Sequence, residues 1–256
     1  MKTVGRSPLN RSLTRGIAIL RAFRPGTELL GNGDFAERTG LPRASISRLT
    51  QTLTEAGYLE YDARQRAYRL GAPVLTLGHA MRAGSAVLRV ATPLMTALAR
   101  RLRINVGLAV RDGDAMVYLE SVRYDAAGAQ RSVLSGQRVP IELTALGRAW
   151  LAVAPEAERA ALMAQWARER RKRWRSVKRE IGEAAAAVAR HGYCAAAWQP
   201  QVVALATPIV IPPRPIHVLN VSATTEVSAA AIARDLEQPL RTLAAQICQA
   251  LDESDA

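Results

Sequence analysis

Leu41-Pro42-Arg43-Ala44-Ser45-Ile46-Ser47-Arg48-Leu49-Thr50-Gln51-Thr52-Leu53-Thr54-Glu55-Ala56-Gly57-Tyr58 is the stretch on which the reading of this chain turns. Pro42 suits the first turn of a helix, where its missing N–H costs nothing, and Gly57 suits the left-handed position just past a helix end. The spacing therefore predicts a helix with a defined start and stop. At about 100° per residue, Ile46, Leu49, Leu53 and Ala56 fall within one stripe, while Ala44, Ser47, Arg48 and Gln51 point the opposite way. The apolar stripe packs, and the other face is free. Taken alone, that free face is equally a solvated surface or a surface for DNA. Small residues would let the helix enter a major groove, and Arg and Gln can make bidentate contacts to guanine and adenine edges.

The flanking residues favour DNA. Upstream, Asp34-Phe35-Ala36-Glu37-Arg38-Thr39-Gly40 makes a short helix and a Gly turn, giving the spacing of a helix-turn-helix. Downstream, Tyr58-Leu59-Glu60-Tyr61 and Ala67-Tyr68-Arg69-Leu70 are short β-prone runs around the polar segment Asp62 to Arg66, which read as a wing. Arg64, Arg66 and Arg69 would then lie near phosphates, where Arg positions a protein without reading sequence. The expected DNA-contacting set is Arg43, Ala44, Ser45, Ser47, Arg48, Gln51, Arg64 and Arg66, with Ser47, Arg48 and Gln51 at base edges.

Ser12-Leu13-Thr14-Arg15-Gly16-Ile17-Ala18-Ile19-Leu20, Ala36-Glu37-Arg38-Thr39-Gly40-Leu41-Pro42, Ala56-Gly57-Tyr58-Leu59 and Tyr68-Arg69-Leu70-Gly71 resemble the winged helix-turn-helix of the IclR-type transcriptional regulators. The resemblance continues downstream and covers nearly the whole chain. It implies an α+β organisation: a winged helix-turn-helix domain over 12–72, a linker helix over 73–84, and an αβ, GAF-like effector-binding domain with an antiparallel sheet over 85–256. Residues 1–11 are expected to be a flexible basic arm. Ser12 is the expected N-cap of a first helix whose Leu13, Ile17, Leu20 and Phe23 recur at helical spacing.

Size and charge are consistent with this organisation. A chain of 256 residues divides naturally into two domains. Its net charge of +13 and pI near 10.9 imply an anionic partner without naming it. Residues 1–82 carry thirteen Lys and Arg against six Asp and Glu, so the first domain is densely basic. Cys194 and Cys248 are too few for a disulfide framework, and three His without metal-ligand spacing supply no metal site. No catalytic residue, metal or cofactor is expected. The first ten residues lack the apolar run of a signal peptide, and no stretch approaches 20 apolar residues, so the expected location is cytoplasmic with no membrane contact. Gly31-Asn32-Gly33-Asp34-Phe35-Ala36 matches a dinucleotide fingerprint in letters only. No buried strand precedes it and no long helix follows.

Pro73 to Met81 reads as an apolar helix with few charges, which suits pairing with the same helix of a second subunit. Val87 to Arg103 is amphipathic. Asn105 to Arg111 and Ala115 to Ser121, joined at Asp112-Gly113-Asp114, read as a β-hairpin. Gly136 to Ala149 resembles the family segment ending in a Thr/Ser-Ala-x-Gly-Lys-Ala helix start, which the resemblance makes part of an effector pocket. Thr144 can cap that helix, whose N–H groups favour a carboxylate. Glu142 and Leu143 replace the family's usual His and Ala, which predicts a bulkier, more acidic rim. Trp166 to Arg179 is the strongest basic run and in isolation could be a nucleic-acid segment, but it reads as one helix with charge on all sides, which favours solvated surface. Pro200 to Val210 and Ile216 to Ser222 resemble two family strands, with Gln201 in place of a Gly and Ala204 in place of a small polar residue or Cys. The resemblance implies a pocket lined by Ala145, Leu146, Val202, Ala204, Asn220 and Ser222 with Trp198 over its mouth, largely apolar and suited to an aromatic or carboxylate ligand. Ala229 to Leu251 is a closing helix.

The expected function is a sequence-specific, effector-controlled transcriptional regulator. Its partners would be double-stranded DNA with a near-palindromic operator, a small-molecule effector, and itself as a dimer or a dimer of dimers. Two alternatives stand beside it: a regulator whose pocket is collapsed by Leu143 and Gln201, and a small-molecule enzyme using Cys194 with His191 three residues before it.

Overall fold

The computed structural model describes residues 9–123, 135–199, 202–224 and 229–255. Contacts divide the chain into two compact units, Met1–Gly84 and Ser85–Ala256. The expected basic arm falls mostly outside the described residues. Its last member, Arg11, begins the first helix.

In the first unit α1 (Arg11–Arg21), α2 (Asn32–Thr39) and α3 (Arg43–Glu55) surround a small core of Ile19, Ala22, Leu30, Phe35, Ile46 and Leu59. The cap of α1 is Asn10, whose side-chain oxygen accepts the Leu13 N–H at 3.0 Å, and not Ser12. The buried side of α1 is also displaced from the expected stripe. Ile19 and Ala22 face the core, while Leu13 and Ile17 are exposed, because α2 and α3 reach only the C-terminal half of the helix's apolar arc. Arg38 fixes α2 to the end of α1 by donating to the Ala22 carbonyl at 2.9 Å. Three residues, Gly40, Leu41 and Pro42, join α2 to α3, and Pro42 itself is the N-cap. Gly57, with φ of 76°, turns the chain out of α3 in the left-handed region that a side chain would disfavour.

The wing is an antiparallel pair, β1 (Leu59–Asp62) and β2 (Ala67–Leu70), in the register Leu59 to Leu70 and Asp62 to Ala67. Leu30 adds a single bridge to Tyr68. The 31–36 fingerprint therefore follows one bridging residue instead of a buried strand. Helix α4 (Ala72–Ala83) closes this unit and has no buried residue.

The second unit is a six-stranded antiparallel sheet covered on both faces. Its strands are β3 (Asn105–Asp112), β4 (Ala115–Val122), β5 (Arg138–Pro140), β6 (Cys194–Gln199), β7 (Val202–Ile209) and β8 (His217–Thr224), in the order β5-β4-β3-β8-β7-β6. Alternate side chains divide between the faces, as a period of two requires. Val106, Leu108, Val203, Leu205, Leu219 and Val221 pack under α5 (Ala86–Leu102) and α9 (Ala229–Asp255). Ala109, Met116, Tyr118, Ala206 and Val218 pack under α6 (Ala145–Val153) and α8 (Trp174–His191).

The basic run 166–179 is not one helix. Helix α7 (Glu156–Glu169) ends before it, Arg170 to Arg173 form a turn, and α8 starts at Trp174. Trp166 and Trp174 both turn toward the α6/α8-side core, and burying two indoles from one stretch requires the chain to bend between them.

Candidate functional site

Ile46 and Thr50 are fully buried on α3, and Leu49 and Leu53 pack against the same small core. Thr50 satisfies its hydroxyl by donating to the Ile46 carbonyl at 3.0 Å. This anchorage leaves Arg43, Ala44, Ser47, Arg48 and Gln51 exposed, with Ser45 half-buried. Ala44, Ser45 and Arg48 border an open groove of about 750 Å³ between α3 and α1, whose apolar wall includes Leu13, Ile17 and Leu53. On the other side of the helix, Asn32 of α2 donates from its amide to the Ser47 hydroxyl at 3.4 Å, and Ser47 donates to the Arg43 carbonyl at 3.2 Å. Gln51 holds Glu55 at 3.0 Å. Asn32 was not read from the sequence as part of this surface. It lies 15 residues from Ser47, so no local periodicity joins them.

Arg64 and Arg66 are exposed in the turn between β1 and β2. Asp62 shapes that turn, accepting the N–H groups of Arg64 at 2.9 Å and Gln65 at 3.0 Å. The Asp62 carboxyl is held below its usual range, first by the Gln65 N–H, with Arg64 and the Arg69 guanidinium adding to it. Arg69 is an ion-pair partner of Asp62 at 2.6 Å. Arg69, expected near phosphate beside Arg64 and Arg66, thus shares its charge with the hairpin while staying exposed.

In the second unit, Val202, Ala204, Asn220 and Ser222 lie on one face of the sheet, because Ala204 pairs with Ser222 and Ala206 with Asn220 across β7 and β8. Ala145 and Leu146, both buried, begin α6, which packs over those strands. Thr144 caps α6 by accepting the Gly147 N–H at 3.2 Å. Gly147 is required at that point, since a Cβ there would lie 2.1 Å from the Ile141 carbonyl oxygen and 2.2 Å from its Cα. Trp198 belongs to β6, but its side chain and the whole of Gln201 lie outside the described residues. Asn220 is buried with its Oδ1 unpartnered among the described residues, and that oxygen and the Tyr118 ring would each lie 2.4 Å from a Cβ on Gly107. Burial pushes the Tyr118 hydroxyl up to about 12, against smaller opposing effects of hydrogen bonding to Asn220 and the charge of Arg123. Tyr118 is the residue that sequence reading missed here, because β4 meets β8 only across the intervening β3.

One expectation about this region is corrected, and the enzyme alternative loses its candidate nucleophile. Glu142 is not an acidic rim: it is 1% exposed, ion-paired with Arg170 at 2.5 Å, and its carbonyl accepts Arg148 Nε at 3.1 Å. A buried carboxylate needs such a partner, and the turn after α7 supplies it. Cys194 is equally inward, its thiol donating to the Ala145 carbonyl at 3.5 Å, and desolvation pushes it up to about 12. The thiolate that nucleophilic chemistry with His191 requires is therefore disfavoured at neutral pH.

Comparison with known proteins gives a consistent picture. Residues 12–63 match the family model described as the IclR helix-turn-helix domain, and residues 80–249 match the model described as the bacterial transcriptional regulator IclR C-terminal domain. The chain is 37% identical over 187 residues to the HTH-type transcriptional regulator TsaQ1/TsaQ2 of Comamonas testosteroni, covering 72% of this chain and 66% of that protein. The matched stretch spans about half to two thirds of the length of the curated relatives. Among solved structures, an IclR family transcriptional regulator from Brucella abortus superposes with a TM-score of 0.87 at 31% identity, covering 98% of this chain and 96% of that one. An IclR homologue from Microbacterium hydrocarbonoxydans, complexed with 4-hydroxybenzoate, shares the fold with a TM-score of 0.69 at 22% identity, covering 94% of this chain and 99% of that one.

Proposed function

The chain belongs to the IclR family of transcriptional regulators, and from that premise we propose that it binds an operator in duplex DNA and changes its grip when a small effector occupies the second unit. The observation that carries the reading is the division of α3: Ile46 and Thr50 are fully buried while Arg43, Ala44, Ser47, Arg48 and Gln51 face outward. In this reading Ser47, Arg48 and Gln51 meet base edges, Ala44 and Ser45 permit close approach, and Arg43, Arg64 and Arg66 hold phosphates. Asn32 and Glu55 pre-position Ser47 and Gln51 from either side. The regulator works in the cytoplasm, where its operator is.

The effector reading rests on the α6 side of the sheet. Val202, Ala204, Ala145 and Leu146 would form apolar walls, and Ser222 and the Asn220 oxygen would offer polar contacts. An acceptor left alone in a buried site favours a ligand that brings a hydroxyl or N–H. The start of α6 favours a carboxylate. A protein sharing this fold was crystallised in complex with 4-hydroxybenzoate, which carries both groups.

A mobility-shift titration on the DNA upstream of this protein's own reading frame tests the DNA half. Arg48→Ala is expected to weaken specific binding by about 1–3 kcal/mol, and Arg64→Ala to weaken all sequences alike and flatten the salt dependence. Wild-type affinity in Arg48→Ala would show that α3 is oriented wrongly. Calorimetry with hydroxylated aromatic acids tests the other half. Heat that disappears in Asn220→Leu supports the pocket, and no heat from any such acid favours a collapsed one.

A further inference from the structure

We propose that the corner between α7 and α8 is a second, sequence-independent contact for the phosphates of duplex DNA, separate from the winged helix. Residues 168–179 carry eight Lys and Arg and one Glu. Arg170 and Arg179 are ion-paired with Glu142 and Glu183. Arg168, Arg171, Lys172, Arg173, Arg175 and Lys178 are exposed, and none has a side-chain partner among the described residues. Arg111, Arg138, Arg148, Arg159 and Arg241 of the same unit, by contrast, each pair with a carboxylate. Six unneutralised cations held close together repel one another, and a polyanion relieves that repulsion while its condensed counterions are released.

The corner also presents its charges from a fixed base. The Arg170 N–H bonds the Trp166 carbonyl and the Arg173 N–H bonds the Arg170 carbonyl, both at 2.8 Å. Trp166 is buried, Trp174 packs on the same core, and Arg170 is tied to the buried Glu142. An anchored cluster loses less entropy on binding than a basic tail would. Both indoles face inward, so the surface offers no platform on which unpaired bases could stack, and this favours duplex over single strands. Four of the six free cations are Arg, whose planar fork fits phosphate oxygens. The choice of DNA as the polyanion rests on the function proposed above, while the cluster itself does not.

The test uses the full chain, a fluorescent 60-base-pair duplex of random sequence and a series of KCl concentrations. The variant carries Arg171→Gln, Lys172→Gln, Arg173→Gln and Arg175→Gln together; these are exposed and unpaired, so thermal unfolding should be unchanged and serves as the folding control. The slope of log K against log salt is expected to flatten by about 0.9 for each phosphate that the variant no longer neutralises, roughly 2–4 in all per protomer. A slope that differs from wild type by less than about 0.9 overturns the proposal. So does weakened binding confined to single-stranded poly(U) RNA, which would make the corner an RNA surface. Arg64→Ala with Arg66→Ala, measured on the same duplex, reports on the winged helix separately. An unchanged slope in that pair counts against the winged-helix reading, whatever the fourfold variant does.

Discussion

Cys194 and Asn220 lie on the same side of the sheet, and their surroundings give them opposite prospects. The thiol is satisfied by the Ala145 carbonyl and held protonated by burial, whereas the amide oxygen is buried without a donor among the described residues. Cys248 is only half-buried, and its thiol is also raised, by desolvation first and then by Asp252. At pH 8 a thiol reagent should therefore label Cys248 slowly and leave Cys194 untouched, and both should react in denaturant. Rapid native labelling of Cys194 would show that α6 does not cover it. Because the folded state keeps the Cys194 thiol and the Tyr118 hydroxyl neutral well beyond their ordinary values of 9.0 and 10.0, their contribution to stability is fully present below pH 9 and declines as pH rises toward 12. Tyr118→Phe should remove the tyrosine part of that decline, seen as a higher alkaline unfolding midpoint.

At the scale of elements, α6 is held by contacts that a single methyl group would break. Gly147 lies against the backbone of Ile141, and backbone cannot swing aside as a flexible side chain could. Gly147→Ala is expected to destabilise the second unit by about 1–3 kcal/mol, toward the upper end, through overpacking. Differential scanning calorimetry would read this as a lower melting temperature for that unit, and an unchanged transition would mean α6 can lift from Ile141 freely. The motif around Thr144 to Ala149 was legible because capping and small-residue spacing are local. The wing was legible for the same reason. The break between α7 and α8 was not, since the residues that bend the chain there, Trp166 and Trp174, respond to a core that a helical wheel does not contain.

At the scale of the molecule, α4 buries none of its own residues, and Leu75, Leu77 and Met81 stand exposed at 79%, 55% and 52%. On the dimer reading, these side chains would meet α4 of a second subunit. That would let two copies of α3 reach successive major grooves about 34 Å apart and read a near-palindrome. Leu75→Ser with Leu77→Ser should then shift sedimentation toward monomer and lower operator affinity together, since covering one Leu side chain contributes about 1.5–3 kcal/mol. A variant that stays dimeric and binds DNA as wild type does would assign the pairing to another surface. An effector can control such a dimer only by binding one arrangement of it more tightly than another.

The sequence by itself determined the helix from Arg43 to Glu55, its outward residues, the short Gly turn before it, the hairpin after it and the hairpin of β3 and β4 in the second unit. Each of these follows from periodicity and from Gly, Pro and capping residues acting within a few positions, whereas residues 195–198, which read as a loop, form strand β6. Only the tertiary structure decided that Ile19 and not Leu13 enters the first core, that Asp62 claims Arg69, that Glu142 turns inward to Arg170, and that Tyr118 stands beside Asn220. Those outcomes depend on which distant surfaces meet, and the free energy of burying a charge or an apolar face is set by the partner that covers it, which no local pattern specifies.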